Sequence, residues 1–166
     1  ISAISSDGKA MTFAGVGAGG WFGEGSVLKN EPRKYDLVAL RETRLGFLNM
    51  ATFNWLTERS VGFNRFLLRQ LNERMGQFIA TIEYDRLLDP TVRVARHISW
   101  LCNPVLYPGV GDRVEISQEE LALLAGVSRA HAGKALQTLE RAGLVTVARG
   151  ALNVRDVVRL GAYGAP

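Results

Sequence analysis

The sequence is poor in the residues that form cross-links and metal sites. Cys102 is the only cysteine among 166 residues, and His97 and His131 are the only histidines. One thiol cannot form an intrachain disulfide, a Cys-x-x-Cys zinc site or the ligand set of an iron–sulfur cluster. We therefore expect no metal, no cofactor and the reducing environment of the cytoplasm. The chain does not begin with methionine, and no secretory or transit signal opens it.

Long apolar runs and catalytic residue sets are also missing. No apolar run approaches the roughly 20 residues of a membrane-spanning helix, and no Ser/His/Asp or Cys/His set indicates a nucleophile. The glycine run at 15–20 lacks the strand and helix that flank a dinucleotide-binding loop, so we interpret it as a flexible connection in β structure with no helix after it. The sequence therefore predicts no membrane partner, no catalytic residue and no enzymatic activity.

Positive charge is present in modest excess. The chain has 20 Lys and Arg against 16 Asp and Glu, a formal net charge of +4. Such an excess suits a polyanionic partner, and an ordinary solvated surface explains it equally well. The 47% hydrophobic content is enough for buried cores in one large or two small domains.

The most informative stretch, residues 116–147, has the pattern of a helix-turn-helix. Ser117 is a good N-cap residue, and Glu120 three positions later completes a capping box for a first short helix. Gly126 follows at a position where a left-handed turn favours glycine. Ser128 is then the N-cap of a second helix.

The second helix of this motif has two different faces. Ala132, Ala135, Leu136 and Leu139 recur at helical spacing and predict a packing face, and Gly143 ends the helix. Basic and polar residues occupy the opposite face. This arrangement is what a recognition helix needs in order to enter a major groove.

Two alternating runs follow the second helix. Residues 144–147 and 152–156 predict antiparallel strands joined at Arg149 and Gly150. The whole unit then has the pattern of a winged helix-turn-helix, with a polar helical hairpin that binds no nucleic acid as the alternative. The residues expected to contact DNA are Ser117, Gln118, Ser128, Arg129, Ala130, His131, Lys134, Gln137 and Arg149.

Upstream, an apolar stripe with three-to-four spacing predicts a long helix from Phe63 onward. A stripe of this length is either part of a core or a seam against a second copy of the chain. Its length, beside a small β region, favours a parallel homodimer. The expected dimer-interface residues are Phe63, Leu67, Leu71, Met75, Phe78, Ile79 and Ile82.

The first 48 residues are rich in glycine and contain short alternating runs. Runs at 10–13 and 37–40 are separated by turn signals at 6–8, 15–20 and 30–32, a pattern typical of a β-sandwich or β-roll. A closed fold of that type usually has around eight strands. We therefore expect part of the β domain to lie upstream of residue 1.

This order of segments resembles the Crp/Fnr family of transcription regulators over almost the whole chain. The most specific matches are Phe-Gly-Glu at 22–24, Asp89 with Arg93 and Ala95, and Gly-Val-Ser-Arg at 126–129. The resemblance implies an effector-sensing β-roll, a long helix that pairs two subunits and a second motif helix that reads a palindromic operator. It also implies a bacterial protein that contacts RNA polymerase.

The effector segment departs from the cAMP-responsive members of that family. Their phosphate cassette has a Gly-Glu pair, then an arginine followed by Ser or Thr. Here Gly23 and Glu24 match and Arg33 aligns with the arginine, but Lys34 stands where the small hydroxyl residue is expected. A turn kept only for folding is therefore an alternative interpretation of the Gly-Glu pair.

The positions that face adenine differ as well. Those family members present a Thr-Ser pair from the long helix, whereas the aligned positions here hold Phe78 and Ile79, which offer no hydrogen bonds. We expect an effector other than cAMP (an anion, an apolar or aromatic molecule) or none. The residues of the expected effector site are Gly23, Glu24, Arg33, Lys34 and Phe78.

The recognition helix also differs from the common family pattern, which is Ser-Arg-Glu-Thr with a later arginine. Arg129 is retained and can pair with guanine O6 and N7. Lys134 replaces the later arginine and can reach a guanine or a phosphate as a point charge. Ala130 lacks the carboxylate that would accept a hydrogen bond from cytosine N4. The half-site should therefore differ from the usual family sequence.

These patterns predict an α+β chain with three parts. Residues 1–50 form the C-terminal part of a cyclic-nucleotide-binding-like β-roll or jelly roll, 51–88 a linker and long dimerisation helix, and 89–166 a winged helix-turn-helix. We expect a homodimeric regulator that binds double-stranded DNA at a palindromic operator, contacts RNA polymerase and responds either to an unidentified small molecule or to none. The alternative is a winged-helix or cyclic-nucleotide-like module that binds protein and not DNA.

Overall fold

The computed structural model describes residues 1–4 and 10–164, so the predicted turn at 6–8 lies outside the described residues. Within the described ranges, no helix is long and apolar enough to cross a bilayer. In chain order the elements are β1 (Ser2–Ile4), β2 (Ala10–Thr12), α1 (Glu24–Lys29), α2 (Met50–Arg59), α3 (Val61–Leu87), α4 (Pro90–Leu101), β3 (Arg113–Val114), α5 (Gln118–Leu124), α6 (Arg129–Arg141), β4 (Val145–Ala148), β5 (Ala151–Val154) and α7 (Val157–Gly161).

The N-terminal region contains one small antiparallel ladder. In it β1 pairs with β2, with Ser2 opposite Thr12, and a bridge joins Ser2 to Asp36. The predicted strand at 37–40 does not form, and Val38 and Leu40 are about 60% exposed (62% and 63%). An alternating run becomes a strand only where a neighbouring edge supplies hydrogen bonds, and the described residues supply none for this run.

A short helix, α1, follows the glycine run, which corrects the expectation that no helix opens there. Gly23 precedes it with a left-handed φ of 90°, and Asn30 ends it with a φ of 51°. The left-handed backbone conformation at Gly23 sets the direction of α1, and glycine adopts this conformation at low cost.

The glycine run itself is closely packed, which corrects its interpretation as a flexible connection. Gly109 donates a backbone hydrogen bond to the Ala18 carbonyl (3.0 Å). The Tyr107 hydroxyl donates to the Gly15 carbonyl (2.6 Å). A Cβ atom on Gly20 would lie 3.0 Å from the Tyr107 ring. The glycine run therefore requires residues without a side chain, because the loop after α4 packs directly against the backbone of the run.

Residues 50–59, expected as part of a linker, form the helix α2. The Asn49 side chain caps its start by accepting a hydrogen bond from the Thr52 amide (2.8 Å). Phe53 is its buried residue and packs edge-on against Phe63, with ring centroids 5.6 Å apart. Ser60 separates α2 from α3 and caps α3 through the Phe63 amide (3.1 Å).

The long helix α3 forms as predicted and has two different faces. Its inner face packs within the chain through Phe63, Leu67, Gln70, Arg74 and Gln77, where Gln70 donates to the Val105 carbonyl and Arg74 to the Trp21 carbonyl. Its outer face is apolar and exposed in the single chain. That outer face consists of Leu68 (66% exposed), Met75 (56%), Phe78 (37%), Ile79 (61%) and Ile82 (54%), with half-buried Leu71 between them.

This division corrects part of the expected dimer interface. Phe63 packs on Phe53 and Trp21, and Leu67 is only 4% exposed, so these two residues belong to the inner face. Leu68, absent from the expected set, lies two helical turns before Met75 on the outer face.

The C-terminal unit contains the main hydrophobic core. Asp89 caps α4 by accepting from the Thr91 and Val92 amides, with Pro90 in the first turn as predicted. The sheet order is β3-β5-β4, antiparallel throughout. The core brings together α4, α5, α6, α7 and this sheet and includes Val94, Ile98, Leu101, Leu121, Leu124, Leu136, Leu139, Val145, Leu152, Val154 and Leu160.

Candidate nucleic-acid interface

The first motif helix, α5, begins with the predicted capping box. The Glu120 amide donates to the Ser117 hydroxyl (3.1 Å), and the Ser117 amide donates to a Glu120 carboxylate oxygen (2.7 Å). Leu121 and Leu124 are buried beneath the helix. Gln118 is exposed at its first turn, beside backbone amides that have no partner inside the helix.

The turn between the two motif helices is held by an arginine from α4. Gly126 has a left-handed φ of 60°, as expected. Arg93 Nη2 donates to the Ala125 carbonyl (2.7 Å) and the Gly126 carbonyl (3.2 Å), and it pairs with Asp85 at 2.7 Å. One guanidinium therefore connects the end of α3 to the turn that sets the angle between α5 and α6.

The second motif helix, α6, presents the predicted polar face. Its packing residues are buried, with Ala132 and Leu139 fully inaccessible. The residues of the opposite face are exposed: Arg129, Ala130, His131, Lys134 and Gln137. Ala130 and half-buried Gly133 leave room for a groove to approach the backbone near the start of the helix.

Ser128 fixes both the first turn of α6 and one side chain on it. Its hydroxyl accepts a hydrogen bond from the His131 amide (3.2 Å) and lies 2.8 Å from His131 Nδ1. The imidazole ring is therefore oriented at the N-terminal end of the recognition helix.

The wing forms as predicted. In it β4 and β5 pair antiparallel, with Val145 opposite Val154 and Ala148 opposite Ala151. Gly150 takes a left-handed φ of 72° at the tip, beside exposed Arg149. The second residue of this two-residue connection has a positive φ, which favours glycine at that position.

A cleft of about 350 Å³ separates α5 and α6 from the wing. Four of the expected DNA-contacting residues line it from three elements: Ser117, Gln118, Arg129 and Arg149. Among the described residues, neither cation of the cleft forms an ion pair with a carboxylate. Glu119 also lines the cleft, so its charged side chains are two arginines without an ion-pair partner and one carboxylate.

The expected effector residues are brought together only in part. Gly23 and Arg33 meet, since a Cβ atom on Gly23 would lie 2.8 Å from Arg33 Nη2. The Gly23 amide donates to the Tyr35 hydroxyl (3.2 Å). The Arg33 guanidinium lies 5.8 Å from the Phe22 ring centroid and 5.9 Å from that of Tyr35.

The other three effector residues are dispersed. One carboxylate oxygen of Glu24 is buried and has no hydrogen-bond partner among the described residues. Lys34 is turned to Glu31, at 3.1 Å. Phe78 lies on the outer face of α3 with Met75. Within the described part of the chain, no group of three His, Cys, Asp or Glu side chains could hold a metal ion.

Comparisons with known proteins agree with this geometry. Residues 92–163 match the model of the Crp-like helix-turn-helix domain, and residues 1–60 match that of the cyclic nucleotide-binding domain. The chain is 30% identical over 153 residues to the cyclic AMP receptor protein of Thermus thermophilus, covering 92% of this chain and 69% of that protein.

The chain belongs to the Crp/Fnr family of transcriptional regulators.

Two further relatives of this Crp/Fnr regulator extend the comparison. It is 27% identical over 148 residues to the cAMP-activated global transcriptional regulator Vfr of Pseudomonas aeruginosa, covering 85% of this chain and 69% of that protein. Its fold is similar to the crystal structure of TTHB099, a CRP-family transcriptional regulator of Thermus thermophilus, with a TM-score of 0.65 and 23% identity over 96% of this chain and 79% of that one. The winged unit is thus the DNA-binding domain of a transcriptional regulator.

One connection in this Crp/Fnr regulator has no sequence signal. Arg41, from the segment after α1, donates to both carboxylate oxygens of Glu120 (3.0 and 2.9 Å). The same Glu120 closes the capping box of α5. The two residues are 79 positions apart, so no local pattern could have indicated the pairing.

Proposed function

We propose that this Crp/Fnr regulator binds a palindromic operator as a homodimer and that any effector to which it responds is not cAMP. The observation that carries the DNA part is the cleft between the motif helices and the wing, where Arg129 and Arg149 have no carboxylate partner among the described residues. An arginine without a carboxylate partner is available to the phosphates or the base edges of a duplex.

Base recognition is assigned to the exposed start of α6. Arg129 stands at its first position, where the planar guanidinium can pair with guanine O6 and N7 in the major groove. Lys134 lies about one turn and a half further along the same exposed surface and adds a second donor. Ala130 offers only a methyl group, which can contact a thymine methyl but accepts nothing from cytosine.

Phosphate contacts are assigned to the residues around the cleft. Ser117 and Gln118 stand at the N-terminus of α5, where free amides and the helix dipole favour an anion. Arg149 stands at the wing tip and reaches the backbone from the other side. These contacts position the protein on the duplex and carry no sequence information.

Dimerisation is assigned to the outer face of α3. Leu68, Met75 and Ile82 repeat every seven residues, with Leu71 and Phe78 between them, which is the spacing of a two-helix seam. Leaving this face in water would be unfavourable, because it is a continuous apolar stripe. A two-fold axis along this seam would present two α6 helices to successive major grooves.

The proposal of an effector other than cAMP rests on the departures in the effector segment. The Gly23 amide donates to the Tyr35 hydroxyl, and Lys34 pairs with Glu31. Neither the amide nor the lysine is therefore available to a phosphate group, as the corresponding groups of a phosphate cassette are. Phe78 offers no hydrogen bond to a base edge. The relatives named for cAMP therefore do not extend that ligand to this chain.

The division into parts at 1–50, 51–88 and 89–166, a cytoplasmic location and a contact with RNA polymerase complete the proposal. A dimer bound at an operator acts on transcription either by contacting the polymerase or by blocking it. A bound effector would change the angle between the two α3 helices and so the spacing of the two α6 helices.

Selection of bound duplexes from a randomised pool, at physiological salt and without added ligand, tests the proposal. Enrichment of a two-fold symmetric site, with half-sites about 10 base pairs apart, supports a dimeric operator-binding regulator that needs no effector. Enrichment of a single half-site would contradict the homodimer.

The second candidate function is a winged helix that binds a protein partner. Salt dependence separates the two, because DNA binding weakens steeply as counterions are released. Absence of any duplex binding even at about 20 mM salt would contradict the DNA-binding proposal and favour the protein partner.

A further inference from the structure

The first turn of α6 contains a side chain whose orientation the motif alone does not explain. His131 is exposed on the face of α6 that includes Arg129, yet its ring nitrogen Nδ1 lies within hydrogen-bond distance of the Ser128 hydroxyl. The preceding residue, Ala130, leaves the ring without a bulky neighbour on the groove side.

The Ser128 hydroxyl can bond to the ring in two ways, because its hydrogen can be donated to an unprotonated Nδ1 and its second lone pair can accept from an Nδ1–H. The Ser128 hydroxyl oxygen already accepts from the His131 amide (3.2 Å), so its own hydrogen is available as a donor. The nearest acceptor is His131 Nδ1, at 2.8 Å. An imidazole that accepts at Nδ1 carries its hydrogen on Nε2, because the bond at one ring nitrogen selects the tautomer at the other.

We infer that His131 reads sequence through its Nε2–H, as a hydrogen-bond donor to a guanine in each half-site. This inference rests on the proposed operator binding by α6. A donor distinguishes guanine, which presents N7 and O6 as acceptors in the major groove, from cytosine, which presents the N4 donor there. Ser128 acts as a positioning residue, since it aims the ring and selects its tautomer.

The small neighbours of His131 support base contact over phosphate contact. Ala130, next to the histidine on the exposed face, carries only a methyl group and Gly133 carries none, while Ala132 is buried in the core. The nearest atom to a Cβ on Gly133 would be Gln118 Oε1, at 3.5 Å. A helix with so little exposed bulk between Arg129 and Lys134 can lie deep in a groove near its N-terminal end, which brings a short side chain such as histidine within reach of a base edge.

The tautomer is tested on the free protein by the ¹⁵N chemical shifts of the histidine ring at pH 8. We expect His131 in the wild type to show a protonated Nε2 and an unprotonated Nδ1. Ser128→Gly removes the hydroxyl while glycine remains acceptable at an N-cap, so the two tautomers should become more evenly populated. A wild-type ring with its hydrogen on Nδ1 overturns the inference whatever the DNA result.

The base contact is tested by repeating the duplex selection with His131→Ala. We expect the guanine preference to relax at one position per half-site, with a loss of roughly three- to tenfold in affinity per half-site. Thr138→Ala, two turns further along the same face, serves as the matched control and should keep the wild-type site. An equal loss on all duplexes would make His131 a phosphate contact and overturn the inference.

A modified duplex separates this contact from the rest of the interface. Removing the acceptors of that guanine one at a time, N7 with 7-deazaguanine and O6 with 2-aminopurine, should weaken wild-type binding in at least one case and leave His131→Ala unaffected there; no weakening by either base overturns the inference. Equal weakening of both proteins means that another side chain reads the base, while wild-type operator binding by α6 remains established. Failure of the wild type to bind any duplex contradicts the proposed function, and the ring ¹⁵N shifts then test the tautomer alone.

Discussion

At the scale of single residues, His97 is a buried titratable group of the winged unit. It is 3% exposed on α4, packs edge-on against Tyr84 and leaves Nε2 without a partner among the described residues. Burial lowers the pKa of His97 from 6.5 to about 4, with Arg93 acting in the same direction and Asp85 opposing it. Protonation of this ring would place an unpaired charge in the core.

We predict that acid destabilises the protein through His97. The unfolded chain binds a proton below pH 6.5 and the folded chain only below about 4, so stability is complete above 6.5 and falls as pH decreases between these values. The free energy of unfolding in urea should fall by about 2 kcal/mol between pH 7 and 5. His97→Phe keeps an aromatic ring and should remove most of this slope. An unchanged slope in that variant would assign the effect to another group.

Arg129 provides a second test at this scale. Arg129→Ala should weaken operator binding by about 1–3 kcal/mol and relax base choice at one position per half-site, while binding to unrelated duplexes changes little. Arg141→Ala removes the same charge from the far end of α6, about 18 Å away, and serves as the control. Loss of specific and non-specific affinity in equal measure would make Arg129 a phosphate contact.

At the scale of elements, two glycines in the helix-turn-helix have opposite roles. Gly126 takes a left-handed φ, and a Cβ atom there would lie 2.7 Å from Arg93 Nη2, an atom held by two carbonyls and Asp85. Gly133 lies inside α6 with ordinary helical geometry and space for a methyl group. The same substitution should therefore have opposite effects at the two positions.

We predict that Gly126→Ala destabilises the protein by about 1–2 kcal/mol, the cost of a left-handed alanine, with a further loss as Arg93 is displaced. Gly133→Ala should stabilise it by about 0.5–1 kcal/mol, because alanine favours a helix over glycine. Urea unfolding of the two variants measures both changes. A neutral Gly126→Ala would mean that the turn relaxes to a right-handed conformation at no cost.

At the scale of the whole molecule, the two faces of α3 have different roles. Its inner face reaches the glycine run and the loop after α4 through Arg74, which donates to the Tyr107 hydroxyl and the Trp21 carbonyl. Its outer face is exposed, and the proposed homodimer would cover it. A movement of one α3 helix against another would therefore be transmitted to the segment that leads into the winged unit.

We predict that Met75→Glu separates the dimer and leaves the monomer folded. Met75 is 56% exposed in the single chain, so the carboxylate is solvated in the monomer and buried only in the dimer. Sedimentation at micromolar concentration should show monomers, with an unchanged circular dichroism spectrum. Arg69→Glu, exposed on α3 away from the apolar stripe, is the matched control and should remain dimeric. A dimeric Met75→Glu would contradict the outer-face seam.

The helix-turn-helix was predictable from sequence because its determinants are local. The Ser117–Glu120 capping box, the left-handed Gly126 and the Ser128 cap each depend on residues within four positions of one another. Helical periodicity then separated the buried from the exposed face of α6. The order of segments identified the family for the same reason, since each matching motif is short and contiguous.

The N-terminal half was less predictable because its structure depends on distant partners. The run at 37–40 alternates like a strand, but strand formation requires a neighbouring edge that local sequence does not specify. The glycine run at 15–20 is closely packed because Tyr107, about 90 residues later, contacts it. Arg41 and Glu120 likewise pair across 79 positions.

The sequence by itself therefore determined α3, α4, α5 and α6, the caps of the last three and the polar face of α6, because these follow from propensity and periodicity over a few residues; it did not determine α1 or α2. Only the tertiary structure decided which side of α3 is inside. Phe63 and Met75 are both apolar and both belong to the helical stripe, but the contacts of Phe63 with Trp21 and Phe53 place it in the chain's own core. Met75 remains exposed because no described residue covers it, and burial depends on such contacts between segments distant in sequence.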